Sequence, residues 1–217
     1  ITRRFGGRRP ASPFSAKWNG DNVKQNISII CAVQPKPNPG MSSVDLAFFA
    51  FAQRHFADAE LRFWKICDEK VLHQKRTAEE RAEIEQRQKM PFSSRSLLGN
   101  LEELYDSDVI LYWGDFFHMA PYRESEARRQ LKIGAVATYA QGLELVDRYF
   151  FLSEAPEEVF KKVVVFGENL LFNTVNNYSS GTYADNIKRF LGQVDHIWMR
   201  DVFSVLTVSH LKIDYQK

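Results

Sequence analysis

The chain has 217 residues, of which 44% are hydrophobic and 26% are charged, and its formal net charge is +2. A chain of this length and composition builds its own hydrophobic core, which excludes the collagen-like, disordered and disulfide-scaffold classes. The charge is uneven, because residues 1–24 carry a net charge of +5 and residues 25–217 therefore carry −3. The acidic body argues against a nucleic-acid-binding protein.

Two segments depart from the regular pattern of the chain. Residues 1–25 combine Gly, Pro, Ser and Arg without periodicity, and we expect a basic flexible arm there. Residues 68–90 are charged on nearly every side. We expect them to form an exposed helical excursion, which is either simply solvated or contacts a partner or substrate. Residues 26–217 are otherwise expected to form one domain.

The cysteines and the lengths of the apolar runs indicate in which cellular compartment the protein is expected. Cys31 and Cys67 lie in apolar runs, as buried free thiols of a reducing compartment do. No apolar run approaches the ~18 residues that a membrane span needs, and no apolar segment follows the N-terminal arginines as it would in a secretory signal peptide. We therefore expect a cytoplasmic protein. The first residue, Ile1, points to a processed chain or a fragment.

Strand and helix patterns alternate along the chain, which predicts an α/β fold with a Rossmann-like parallel sheet and helices on both faces. The predicted strands are 26–33, 61–66, 108–113, 163–166 and 196–199. The predicted helices are 43–56, capped by Ser42 or Ser43, and then 93–106, 123–132, 135–151, 156–161, 183–191 and 202–211.

Ligands of such sheets bind beyond the carboxyl ends of the strands, so the polar residues directly after each strand are the candidates. After the first strand, Asn38, Gly40 and Ser42 lead into a helix N-terminus, where backbone amides bind an anion or simply form an ordinary turn. The segment is neither a G-x-G-x-x-G fingerprint nor a P-loop.

The strand 108–113 is followed by Gly114 and Asp115. The glycine permits close approach of a ligand to the backbone. The carboxylate of Asp115 either orients or deprotonates a hydroxyl, or it caps a turn. His118 lies between two apolar residues, a position that fits a packed side chain as well as a catalytic group.

Glycine and polar residues also follow the strand 163–166. Gly167 and Asn169 come directly after it, and Ser180 lies in a run of hydroxyl and glycine residues before the next helix. Such a run suits the binding of a phosphate or a sugar, although a capped turn has the same composition.

The last strand is followed by Arg200, Asp201 and Ser204. An arginine at a strand tip suits bidentate recognition of a carboxylate or phosphate, or it pairs with Asp201, which caps the helix that carries Ser204. The five histidines are scattered and neither C-x-x-C nor H-E-x-x-H occurs, so we expect no metal site. A hydrolase elbow of the type G-x-S-x-G is also missing from the sequence.

Three of these segments occur in a characteristic order. The turn Asn38-Pro39-Gly40-Met41, the strand end 108–115 and the element 200–204 together resemble the polysaccharide pyruvyl transferase family. Members of that family show an early Gly/Asn-containing turn, an aD-x-vi-x-x-GGd strand end and an R-(E/D)-x-x-S element that opens a helix. The resemblance spans about residues 27–211, with Trp113 in place of the first glycine of the usual pair.

The resemblance implies one half of a GT-B-like architecture and transfer of a pyruvyl group from phosphoenolpyruvate to two hydroxyls of a sugar, with no redox cofactor. On that basis Arg200 holds an anion and Asp115 orients or deprotonates the acceptor. The second half of family members supplies further Arg and His, so we expect this sequence to hold one wall of the site. The alternatives are a nucleotide-sugar-dependent glycosyltransferase and a non-catalytic binding or scaffold module, and the oligomeric state stays open.

Overall fold

A computed structural model of the chain describes residues 24–31, 39–65, 77–79, 82, 90–114 and 117–211. The described strands are β1 (Asn26–Cys31), β2 (Glu60–Lys65), β3 (Ser94–Ser96), β4 (Val109–Trp113), β5 (Val163–Glu168) and β6 (His196–Met199). They form one six-stranded sheet in the order β3-β2-β1-β4-β5-β6, and every pairing is parallel.

The helices within the described residues are α1 (Pro39–His55), α2 (Leu101–Tyr105), α3 (Ala120–Ile133), α4 (Tyr139–Phe150), α5 (Glu157–Phe160), α6 (Thr182–Gln193) and α7 (Val202–His210). The predicted α/β fold with a Rossmann-like parallel sheet is thereby confirmed. In this strand order the chain winds outward in both directions from β1 and β4, and open sheets of this kind bind ligands at that switch point.

The two faces of the sheet are covered by different helices. On the first, which we call the α6 face, Tyr112 and Val165 pack against α3, α4, α5 and α6 in the larger core cluster. On the second, the α1 face, Leu111 and Val164 belong to a smaller cluster that includes Phe48 of α1. Each fully buried aliphatic or aromatic side chain contributes roughly 1.5–3 kcal/mol, so the α6 face supplies most of the hydrophobic stabilisation.

The helix predicted over 93–106 is wrong in its first half. Residues Ser94–Ser96 form the edge strand β3, and the helix α2 begins only at Leu101. Pairing with β2 decides this outcome, since β3 aligns with Phe63–Lys65 and the N–H of Leu97 donates to the carbonyl of Lys65 at 2.9 Å. The run Ser-Arg-Ser has no apolar alternation of its own, so only the neighbouring strand reveals it.

The capping role predicted for Ser42 or Ser43 is also wrong, because α1 already begins at Pro39. Ser43 lies inside the first turns, where its hydroxyl donates to the carbonyl of Gly40 at 2.7 Å. A proline is well tolerated at the first position of a helix, because its missing N–H would have no partner there.

Parts of the prediction fall outside the described residues. The basic arm does so apart from Lys24 and Gln25, and the charged excursion does so apart from residues 77–79, 82 and 90. Cys31 is buried and free, and burial, followed by the negative charge of Asp45, raises the pKa of its thiol. Among the helices that the structure describes, none combines the length and the apolar character of a membrane-spanning segment.

Candidate functional site

The predicted residues after β4, β5 and β6 lie side by side along the carboxyl edge of the sheet. The N–H of Gly114 donates to the carbonyl of Phe166 at 3.4 Å, and the N–H of Arg200 donates to the carbonyl of Glu168 at 3.0 Å. Backbone hydrogen bonds thus continue beyond the ends of the strands and hold the three loops in one row. Asn169 follows Glu168 directly and belongs to the same row.

The N-terminal part of α1, which follows β1 in the chain, contacts this row at the end of β4. The indole N–H of Trp113 donates to the carbonyl of Val44 at 3.0 Å, which fixes the start of α1 against the end of β4. Gly40 and Ser42 therefore lie at the switch point between β1 and β4. Asn38 and Asp115, which sequence reasoning places at the same point, lie outside the described residues.

The segment Arg200–Ser204 is built around the cap of α7. Asp201 Oδ1 accepts from the N–H of Ser204 at 2.9 Å, and its Oδ2 accepts from the Ser204 hydroxyl at 2.6 Å. Ser204 is fully buried, and its oxygen also accepts from the N–H of Leu170 at 2.8 Å. The predicted capping role of Asp201 is confirmed, and Ser204 ties the cap to the loop after β5.

The charge state of Asp201 follows from these contacts. Desolvation raises its pKa, but the hydrogen bonds from Ser204 and Phe203 and the positive charge of Arg200 outweigh it and lower the pKa below the ordinary value. Asp201 is therefore a carboxylate at neutral pH. Arg200, in contrast, has an exposed side chain at the tip of β6.

His118 is fully buried beneath this edge, next to Glu168. Its Nδ1 lies 3.0 Å from Glu168 Oε2, and its Nε2 lies 2.7 Å from the carbonyl oxygen of Phe150. A carbonyl only accepts, so Nε2 is the donor to Phe150, and Nδ1 faces the carboxyl group of Glu168. The catalytic role of His118 stays a prediction; in the structure its contacts are those of a residue that positions the loop.

Gly167 explains how Glu168 reaches His118. The register between β5 and β6 shifts here, because Phe166 pairs with Trp198 and Glu168 pairs with Met199. Gly167, with φ of +75°, is the extra residue of this β-bulge. The bulge turns Glu168 to the α6 face. Contact of Gly167 with a substrate stays a prediction beside this backbone role.

The loop after the bulge is ordered by its own side chains. The side-chain oxygen of Asn169, which is buried, accepts from the N–H of Leu171 at 2.7 Å. Asn173 accepts from the N–H of Ala120 at 2.7 Å and donates to the hydroxyl of Tyr183 at 2.8 Å. Ser180 is exposed just before α6, near the far end of this loop.

Tyr183 closes this network, since its hydroxyl donates to the carbonyl of His118 at 2.6 Å. Burial raises the pKa of Tyr183, so the phenol keeps its proton and remains a donor. Sequence reasoning missed Glu168, Asn173 and Tyr183 as organising residues. The sequence contained one signal for Glu168, which ends a run of apolar strand residues. A carboxylate that is buried at such a position is rarely without a partner.

A second feature that sequence reasoning missed is an aromatic row on the α1 face. Trp113, Phe166 and Trp198 are direct cross-strand partners on β4, β5 and β6. The ring centroids of Trp113 and Phe166 lie 4.5 Å apart at 6°, and those of Phe166 and Trp198 lie 5.7 Å apart at 60°. We call these three residues the aromatic ladder. Its signal in the sequence is an aromatic residue at or next to the end of each of three strands.

Comparison with known proteins gives no significant match among family models, curated proteins or solved structures. No group of three or more His, Cys, Asp or Glu within the described part of the chain is arranged to hold a metal ion. The functional argument therefore rests on the carboxyl edge, with its exposed Arg200.

Proposed function

We propose that this chain is the Rossmann-like part of a transferase that acts on a sugar or polysaccharide precursor, and that the reaction is pyruvyl transfer from phosphoenolpyruvate. The observation that supports the proposal is the difference between the polar residues of Arg200–Ser204: two have structural roles, and the third is exposed. Asp201 and Ser204 are engaged in capping α7 and anchoring the loop after β5. The side chain of Arg200 is exposed and charged, and a guanidinium there suits a carboxylate or a phosphate.

The distance between β1 and β6 along the carboxyl edge supports the same proposal. The switch point lies between β1 and β4, and Arg200 follows β6, two strands beyond β4. Neighbouring strands are about 4.8 Å apart, so the distance along the edge from β1 to β6 is roughly 14 Å. A three-carbon phosphorylated donor and one sugar ring, placed end to end, span about that distance.

The proposed reaction balances without a redox partner. Two acceptor oxygens form bonds to C2 of the enolpyruvyl group, the bond from C2 to the phosphate oxygen breaks, and C3 gains a proton. Of the two hydroxyl protons, one ends on C3 and the other on the released phosphate. Arg200 neutralises an anionic group of the donor. Asp115, although outside the described residues, keeps its predicted role in orienting or deprotonating the acceptor hydroxyl.

The strand order favours a second candidate, a nucleotide-sugar-dependent glycosyltransferase. Sheets with this order bind dinucleotides at the switch point between β1 and β4. The glycine fingerprint that normally accompanies such binding does not follow β1 in this sequence. We therefore rank this candidate second, ahead of a non-catalytic scaffold module.

Calorimetric titration of the chain with phosphoenolpyruvate and, separately, with a UDP-sugar tests the proposal. We expect phosphoenolpyruvate to bind and Arg200→Ala to weaken it at least about tenfold, which is about 1.4 kcal/mol. The matched control is Arg54→Ala. Arg54 is exposed in the last turn of α1, near the amino ends of the strands and away from the carboxyl edge. Binding of only the UDP-sugar supports the glycosyltransferase, and binding of neither supports the scaffold module.

A further inference from the structure

The helix α7 directs several of its large apolar side chains to water. It buries Ser204 and Val208, and it exposes Val202, Phe203 and Leu206. A surface helix normally turns its apolar residues to the core and its polar residues to solvent. A helix that is apolar on its outer side as well is normally covered by another element.

The preceding helix, α6, shows the usual pattern. It buries Ile187 and Phe190, and it exposes Asp185 and Lys188. Both helices pack beside the same end of the sheet, since β6 lies between them in the chain. The exposure of large apolar residues is therefore particular to α7.

The loop after β5 enlarges this apolar surface. The N–H of Leu170 donates to the hydroxyl oxygen of Ser204 at 2.8 Å, which fixes the loop against the first turn of α7. The next two residues, Leu171 and Phe172, are exposed. All the exposed apolar residues of the loop and of α7 thus lie within two positions of this bonded pair. We call them the α7 patch: Leu171, Phe172, Val202, Phe203 and Leu206.

The two segments that form the α7 patch are free of charged residues. Residues 169–184 and 202–209 contain no Asp, Glu, Lys, Arg or His, although 26% of the whole chain is charged. The cores of protein interfaces are depleted of charged residues, and homodimer interfaces are more apolar than most others. The composition of the α7 patch is therefore that of an interface core.

The same composition distinguishes between partners. A two-fold contact pairs a surface patch with its own copy, so a patch without charges meets its partner without like-charge repulsion. Helices that bind membranes, in contrast, carry Lys and Arg beside their apolar face. Residues 169–184 and 202–209 lack both, which favours a second copy of the chain over a lipid surface.

The area of the α7 patch fits a dimer. Phe172 and Phe203 are 61% and 62% exposed, so together they present roughly 200–300 Å² of apolar surface. The three aliphatic residues of the patch add roughly 100–200 Å². A standard interface covers about 800 Å² of each partner, of which about 500 Å² is apolar in a homodimer. The α7 patch therefore supplies most of the apolar surface that such a dimer needs.

We propose that the α7 patch is the interface of a homodimer with two-fold symmetry, in which the α7 helices of two copies pack against each other. The inference does not depend on the proposed transferase activity. Arg200 lies two residues before Val202, so the interface adjoins the carboxyl edge of the sheet. The dimer therefore brings the carboxyl edges of the two copies close together.

Sedimentation of the chain over a range of concentrations tests the proposal. We expect the wild type to form a dimer with a dissociation constant in the micromolar range or tighter. Leu206→Glu places a charge in the middle of α7 and should weaken the dimer at least about thirtyfold. The control is Leu46→Glu, because Leu46 is also exposed but lies on α1, and it should change the dissociation constant by less than about threefold. Both positions are exposed in the single chain, so both variants should keep the far-UV circular dichroism of the wild type.

A pair of opposite charges tests the two-fold arrangement. The central residues of two α7 helices that pack across a two-fold axis meet their own copies. Leu206→Glu and Leu206→Lys should therefore each weaken the dimer when the variant is alone. An equimolar mixture of the two variants should recover a dimer, because opposite charges then meet at the axis.

The remaining outcomes overturn the proposal. A chain that stays monomeric throughout the micromolar range does so, and so does a dimer that Leu206→Glu leaves intact or that Leu46→Glu weakens equally. A mixture that recovers no dimer overturns the pairing of α7 with its own copy. A monomer that cosediments with vesicles of phosphatidylcholine and phosphatidylglycerol, and no longer does so after Leu206→Glu, makes the α7 patch a membrane contact instead.

Discussion

The two faces of the sheet differ in whether they bury polar side chains and in how far their aromatic rings are exposed. The α6 face buries polar side chains together with their partners, as with His118 and Glu168, and as with Arg123, which forms a bidentate ion pair with Asp147 between α3 and α4. The α1 face buries apolar residues under one described helix and leaves the rings of Phe166 and Trp198 in contact with water.

This difference separates stability from binding within one sheet. Buried polar networks fix one arrangement of the loops, since every member must keep its partner. Exposed rings contribute less to folding and are available to a ligand. The carboxyl edge of the sheet adjoins both faces. Its loops are held by the buried polar groups of the α6 face, and on the α1 side they lie next to the exposed rings. Each prediction below compares the two faces or the edge between them.

The largest effect is expected for Glu168→Leu on the α6 face. The change leaves the N–H of His118 without its acceptor and Nδ1 of His118 facing an apolar group, in a position from which water is excluded. Breaking a buried pair in this way costs about 3–5 kcal/mol in the free energy of unfolding, measured by urea denaturation.

The control for this change is Glu154→Leu. Glu154 pairs with Arg148 at 2.8 Å, but the Glu154 side chain is 62% exposed, so its removal is expected to cost no more than about 1 kcal/mol. If the two substitutions have equal effects, the buried network does not stabilise the α6 face and the comparison between the faces fails.

A smaller effect is expected for Gly142→Ala, which tests the packing of α3 on α4. A Cβ atom at Gly142 lies 2.7 Å from the carbonyl oxygen of Ala127, so the two helices must move apart. Overpacking of this kind costs about 1–3 kcal/mol. The matched control is Gly192→Ala in α6, where a Cβ meets nothing within 4 Å and the change is expected to stabilise by up to about 1 kcal/mol. Thermal or urea unfolding that shows the same sign for both variants contradicts this packing.

At the edge between the faces, Asp201→Ala removes the cap of α7 and is expected to cost about 1 kcal/mol at pH 7. The folded-state pKa of Asp201 lies below its ordinary value of about 3.9. Its contribution is therefore fully present above that ordinary value and is lost as the pH falls through the lower folded-state pKa.

Urea unfolding of the Asp201→Ala variant and the wild type at pH 7 and at about pH 2–3 checks this dependence. The difference between the two proteins should shrink on acidification. Asp201→Asn, which keeps an accepting oxygen, should retain most of the stability at pH 7 and show no such shrinkage. A difference that grows in acid contradicts the carboxylate cap.

Local patterns predicted most of the fold. The strands β1, β4, β5 and β6 and the helices α3 to α7 follow from apolar runs and periodicity, and their observed bounds lie within a few residues of the predicted ones. The exception is β3, whose residues become a strand through pairing with β2 rather than through their own composition. Such pairing is a tertiary effect that a local pattern does not contain.

The candidate site was predictable in position but not in contacts. The rule that ligands bind beyond strand ends located Gly114, Asn169 and Arg200, because it depends only on where strands stop. The partnership of His118 with Glu168 was not accessible, since the two are 50 residues apart and a bulge at Gly167 reverses the expected direction of Glu168. A bulge shifts the alternation by one residue, and strand periodicity alone does not reveal it.

The smallest effect is expected for Trp198→Leu, compared with Trp64→Leu. Trp64 is fully buried on the α6 face, and its indole N–H donates to the hydroxyl of Ser28 at 2.8 Å, so its replacement leaves a cavity and removes a buried hydrogen bond. Trp198 is 38% exposed, and its replacement should cost only about 0.5–1 kcal/mol. Urea unfolding of both variants gives the two costs directly. Equal losses would place Trp198 in the core and would contradict the difference between the two faces.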